Sequence, residues 1–193
     1  MVDHPIEQTG LMTVEEFVRL YETEGPFELI NGERIPLSPA VAGHNSVAKI
    51  IYDALILRDP EQAIYAVHSE AAFVMEESPD WVKGSRTPDV MVYRADRLAA
   101  YKAEHPDWRR KPFILVPDLV IEVISQNDKY TEVEAKVDGY LDDGVQIVWV
   151  FDPKPKTIIV RSLNSYSKLT VKDTLTGGNV IPGFEIAVKT IFE

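Results

Sequence analysis

The chain has 193 residues, enough for one domain with a sizeable core. Its composition is ordinary globular, 45% hydrophobic and 26% charged, and it has no cysteine, which excludes a disulfide framework and thiolate chemistry. A net charge of −11 argues against a non-specific nucleic-acid coat, yet it leaves room for a local basic patch or for a carboxylate site whose charge a bound cation offsets.

Residues 1–11 have no basic segment followed by an apolar run, so no signal peptide is expected and they read as a flexible lead-in. In MTVEEFVRLYE, 12–22, Thr13 and Glu16 form a capping box ahead of Phe17 and Leu20, which predicts a helix. FELINGERIPL, 27–37, predicts two short strands around Asn31–Gly32, the strongest local hairpin signal. After the loop SPAVAG, residues 44–59 place Val47, Ile50, Ile51, Ala54 and Leu55 at helical spacing. Residues 63–75 predict one or two strands, EESPDWVKGSR a polar loop, and TPDVMVY, 87–93, a strand introduced by Pro88. Pro106 and Pro112 limit the next segment to a short helix and an irregular stretch.

LVIEVIS, 119–125, predicts a strand. Asp128 is expected to cap the helix over KYTEVEAKVDGYLDD, whose apolar stripe is Tyr130, Val133, Val137, Tyr140 and Leu141. VQIVWVFDP, 145–153, is a further strand, followed by a hairpin pair, KTIIVRSL and SKLTVKD, and an amphipathic tail. No window of 18 or more apolar residues exists, so no membrane helix is expected, and the protein is expected to be cytoplasmic. This order predicts a single domain over 1–193 of mixed α/β (α+β) class: a central mixed β-sheet flanked by helices, with additional antiparallel hairpins. The strands 119–125 and 145–153 flank one helix with short connections, which predicts a β-α-β crossover and parallel neighbours.

Glu122 stands in the middle of an otherwise apolar strand, on the face shared by Val120 and Ile124. A buried, unpaired carboxylate costs several kcal/mol, so Glu122 needs an open sheet end, a partner or a cation. Asp89 poses the same question at the start of TPDVMVY, because Asp is a poor strand former. Two carboxylates on adjacent strands repel each other unless a positive charge lies between them. Mg²⁺ or Mn²⁺ takes such oxygen ligands. Lys136 borders the apolar stripe of the following helix and is placed to reach back over the strand ends. Taken singly, each residue also admits a plain structural reading: an ion pair at a strand end, a turn-forming aspartate, a surface lysine lying along the helix.

TPDVMVY, PDLVIEVIS, KVDGYLDDGVQIVWVFDP and GGNVIPGFEI resemble, in this order, the Uma2 family, also known as DUF820. So do MTVEEFVRL, FELINGE, the LSP turn and GHN at the front, and the likeness runs from about residue 12 to the end. The resemblance implies a branch of the PD-(D/E)xK nuclease superfamily, with a restriction endonuclease-like core and Mg²⁺- or Mn²⁺-dependent endonuclease activity. By that resemblance Pro88–Asp89 corresponds to the PD half-motif and Glu122 to the second acid, the two acids being the metal ligands. The usual lysine place, two residues beyond Glu122, holds Ile124, and Lys136 in the following helix takes the role, giving Asp89, Glu122 and Lys136 as catalytic residues. His44 and Glu33 are further candidate site residues. Arg109, Arg110 and Lys111, beside Trp108, are the candidate DNA-binding residues. The two-fold symmetry of duplex DNA makes a homodimer the expected assembly. Two alternatives stand beside the nuclease: a non-catalytic scaffold on the same fold, and a metal-dependent hydrolase of a smaller phosphate ester.

Overall fold

The computed structural model describes residues 12–37, 39, 41–78, 81–125 and 128–193, so the expected lead-in, 1–11, lies outside the described residues. In chain order the elements begin with β1 (Met12–Thr13), α1 (Val14–Glu24), β2 (Phe27–Ile30), β3 (Glu33–Pro36) and α2 (Ala42–Arg58). They continue with β4 (Tyr65–Ser69), β5 (Phe73–Ser78), β6 (Trp81–Arg86), β7 (Val90–Arg94), α3 (Ala95–Glu104) and the 3₁₀ turn η1 (Trp108–Arg110). The remainder is β8 (Leu119–Val123), α4 (Tyr130–Asp142), β9 (Ile147–Asp152), β10 (Thr157–Ser162), β11 (Ser165–Leu169), β12 (Thr174–Thr176), β13 (Glu185–Ala187) and α5 (Val188–Ile191). The fold is mixed α/β, a central multi-strand sheet flanked by helices with extra antiparallel hairpins, consistent with a restriction endonuclease-like core. Among the described residues no helix is long and apolar enough to cross a membrane.

Two compact units divide the chain, the first built from the described residues of Met1–Ser38 with Ala72–Thr87 and Asp107–Leu115. Its sheet runs β1-β6-β2-β3, with β5 also paired to β6. The N-cap half of the predicted capping box forms: the Glu16 N–H donates to the Thr13 hydroxyl at 3.1 Å. The apolar face of α1, Val14, Phe17 and Leu20, then packs on Phe27, Leu29, Val74 and Val82. Asn31 (φ 52°) and Gly32 (φ 80°) both take left-handed backbone, as the tight turn between β2 and β3 requires. The polar stretch at 81–86 is a strand, not the loop expected from its composition. Pairing supplies what propensity lacked: Ser85 is fully buried, and its hydroxyl accepts the Leu29 N–H at 2.8 Å.

The second unit comprises Pro39–Ala71, Pro88–Pro106 and Val116–Glu193. Its six-stranded sheet has the order β11-β10-β9-β8-β7-β4. The β8–β9 pair is parallel and the pairs β10–β11, β9–β10, β7–β8 and β4–β7 are antiparallel, so the crossover through α4 has the predicted topology. Leu119, Ile121 and Val123 of β8 share one core with Val47, Ile51 and Leu55 of α2. The alternate residues Val120 and Glu122 face the other way, and Glu122 meets the side chains of α4. Helices α2 and α4 therefore cover opposite faces of β8. Asp118, fully buried just before β8, accepts the Arg94 N–H at 2.9 Å and the Gln146 amide at 2.6 Å, and pairs with Arg97 at 2.7 Å. It fastens the start of β8 to both neighbouring segments.

Three local expectations are corrected in this unit. Helix α2 starts at Ala42, which puts His44 inside the first turn instead of at the helix opening. Asp128 does not cap α4; its carboxylate accepts the Ser125 N–H at 2.7 Å and closes a turn, leaving Lys129 at the cap position. Tyr130 is 61% exposed, because at the first helical residue it lies beyond the reach of the sheet, and the buried stripe is Val137, Tyr140 and Leu141.

Candidate active site

Strands β7 and β8 pair with Val90 opposite Ile121. Asp89 immediately precedes β7, and Glu122 immediately follows Ile121 on β8. The strand-poor aspartate is accommodated because it precedes β7 and caps the end of β8: its Oδ2 accepts the Val123 N–H at 2.7 Å. The same oxygen lies 3.1 Å from His44 Nε2, brought in by the first turn of α2. The hydrogen bond to Asp89 lifts the His44 pKa above the ordinary imidazole range. Burial opposes that shift, while the charges of Asp89 and Glu122 and the Asn45 side chain reinforce it.

Glu122 receives its partners from α4. Lys136 Nζ is 3.0 Å from Oε1 and 3.1 Å from Oε2. The Tyr140 hydroxyl donates to Oε1. Lys136 and Tyr140 are one helical turn apart, so both project from the same side of α4 onto one carboxylate. This answers why an apolar strand carries a glutamate: the charge is paired and hydrogen-bonded from the helix that covers that face. A pocket of about 160 Å³ opens here, lined by Glu122, Ile124, Asp128, Glu132, Val133 and Lys136, among others.

Asp89, Glu122, Lys136 and His44 thus belong to one unit, Asp89 with His44 and Glu122 with Lys136. Glu33 belongs to the other unit, exposed on β3. Glu28, on the same hairpin, is buried and accepts the Thr87 N–H at 2.9 Å. Arg109 and Arg110 are exposed on η1, with the Arg109 guanidinium 4.7 Å from the Trp108 ring centre, and Lys111 pairs with Asp107 at 3.0 Å. Sequence reasoning assigned Tyr140 to the apolar stripe alone. Its one available signal was a hydroxyl-bearing ring, where phenylalanine would pack equally well, four residues after Lys136.

Among the described residues no group of three or more His, Cys, Asp or Glu side chains is arranged to hold a metal ion. That donor set does not fit a closed tetrahedral site. It does fit a Mg²⁺-type cation, which is commonly held by one or two carboxylates and completed by waters and substrate phosphate. Asp89 and Glu122 are the two carboxylates that would hold one.

A family model, Uma2, described as "Putative restriction endonuclease", matches residues 14–189. A solved structure described as "a putative nuclease belonging to DUF820 from Anabaena variabilis" superposes with a TM-score of 0.75. It is 21% identical, over 94% of this chain and 97% of that one, a likeness that shows the fold. No curated protein matches the chain.

Proposed function

The chain belongs to the Uma2 family, and from that premise we propose that it is a Mg²⁺- or Mn²⁺-dependent endonuclease that hydrolyses DNA phosphodiester bonds. The observation that carries this reading is Lys136: with Ile124 in the usual lysine place, the ammonium nevertheless arrives 3.0 Å from Glu122, from a helix 14 residues further along. When bound, the cation supplies a more acidic water and polarises the scissile phosphate. Asp89 is held for that role by the Val123 N–H and by His44, which fix its carboxylate at the sheet end. Lys136 orients the attacking water or balances the negative charge that grows on the phosphoryl oxygens.

The pocket's size supports a polymeric phosphodiester over a small enclosed ester, and its charge supports metal dependence. The pocket, about 160 Å³, is smaller than the roughly 300–1,000 Å³ that encloses a small-molecule ligand, so the substrate would enter it by a phosphate group. Its lining sets Glu122, Asp128 and Glu132 against Lys136, so an anionic substrate needs an added cation to approach. Arg109 and Arg110 are proposed to bind the backbone phosphates, with Lys111 beside them. A cytoplasmic homodimer, matching the two-fold symmetry of a duplex, is the proposed form.

Cleavage of supercoiled plasmid is the test, with Mn²⁺, Mg²⁺ or EDTA, comparing the wild type with Glu122→Gln. Metal-dependent nicking that EDTA and Glu122→Gln each abolish is the expected result. Equal nicking by both proteins rejects the site. No nicking by either, together with no Mn²⁺ binding, moves the assignment to the non-catalytic scaffold.

A further inference from the structure

We infer that Tyr140 is the positioning residue for Glu122: its buried hydroxyl fixes the carboxylate in the orientation in which it would hold the divalent cation. The inference rests on the metal-dependent reading above and assigns a residue that reading does not use.

Tyr140 is fully buried, in the same stripe as Val137 and Leu141 that packs α4 onto the sheet. Its ring fills space that phenylalanine would fill equally well, so packing does not account for the oxygen. The hydroxyl donates to Glu122 Oε1, and a buried hydroxyl is costly without such a bond. The two groups from α4 approach the carboxylate differently. Lys136 is 28% exposed, touches both oxygens and lines the pocket. Tyr140 is fully buried and donates to Oε1. A lysine carries a four-carbon flexible stem, whereas a packed tyrosine ring turns on two torsions. The rigid partner therefore sets the orientation of the carboxylate, and the flexible one is the partner that would give way to a cation. Carboxylates that bind metals are oriented by such outer hydrogen bonds.

Tyr140→Phe tests this, because it keeps the ring and removes the one atom that matters. Mn²⁺ binding is titrated calorimetrically and by electron paramagnetic resonance in the absence of DNA. The expected result is a Kd weakened about 10–100-fold. The Mn²⁺ concentration that half-saturates plasmid nicking should rise in parallel, and the rate at saturating Mn²⁺ should recover towards wild type. Leu141→Ala is the control: it disturbs the same buried stripe at a residue that does not line the pocket, and should lower Tm while leaving the Mn²⁺ Kd unchanged. A wild-type Kd in Tyr140→Phe overturns the assignment of Tyr140 and leaves the nuclease reading standing. Equal weakening in Leu141→Ala also overturns it, by making the effect one of general packing. Absence of Mn²⁺ binding by the wild type overturns both.

Discussion

Lys136→Met should lower stability without metal and raise affinity for Mn²⁺, which makes it the sharpest single perturbation of this site. Methionine keeps most of the stem and removes the ammonium that lies 3.0 and 3.1 Å from the two oxygens of Glu122. Hydrogen bonds to charged groups contribute about 1.5–3 kcal/mol. Here the side chains are 28% and 14% exposed, so solvent screens part of that, and a loss of about 1–2 kcal/mol is expected. For a chain of this length each kcal/mol moves Tm by roughly 2–4 °C, so the metal-free variant should melt about 2–8 °C lower. In saturating Mn²⁺ the gap should close. The ammonium and the cation compete for one carboxylate, so the variant should bind Mn²⁺ more tightly, by a factor of about 5–30 for the same 1–2 kcal/mol. Nicking should fall all the same, because the group that serves the water or the phosphoryl charge is gone. Thermal melts with and without Mn²⁺, calorimetric titration and a plasmid assay read the three effects separately. A variant with wild-type Tm and wild-type Mn²⁺ affinity would refute the pairing of Lys136 with Glu122. One that nicks at the wild-type rate would refute its catalytic role.

Two further outcomes are expected elsewhere in the chain. Asp59 is buried, and its carboxylate accepts the N–H groups of Ala63, Ile64 and Tyr65 at 3.1, 2.7 and 3.1 Å. Burial raises its pKa, but those three donors outweigh burial and the net shift is downward. A depressed carboxyl contributes stability above its unfolded pKa and loses it as pH falls through the lower folded value. Asp59→Ala should therefore cost about 2–4 kcal/mol in urea at pH 7, and the gap to wild type should close below about pH 4; a gap that stays constant to about pH 2.5 would contradict this account. In the other unit, Arg109→Glu with Arg110→Glu should weaken DNA binding with little regard to sequence. Fluorescence anisotropy should show the slope of log Kd against log salt made shallower by about one for each phosphate that the protein no longer neutralises, and an unchanged slope would make η1 a solvated turn.

What the sequence determined by itself was local or anomalous. The Thr13–Glu16 cap, the Asn31–Gly32 turn and the strand–helix–strand order around α4 rest on interactions between residues a few positions apart, which periodicity and turn chemistry encode. Asp89 and Glu122 were legible for the opposite reason: a carboxylate in an apolar strand violates the local pattern, and such violations gather at sites. Tertiary structure decided the rest. Strand β6 exists because its backbone pairs with β5, β1 and β2, partners that no property of the polar run announces. Tyr130 and Tyr140 look alike in the helical pattern, yet one lies beyond the reach of the sheet and the other ends on Glu122, 18 residues back along the chain. Asp89 meets Val123 across 34 residues in the same way. A pattern along the chain states which side chains want cover or a partner; which atom provides it depends on packing between segments distant in sequence, and that is a property of the folded chain alone.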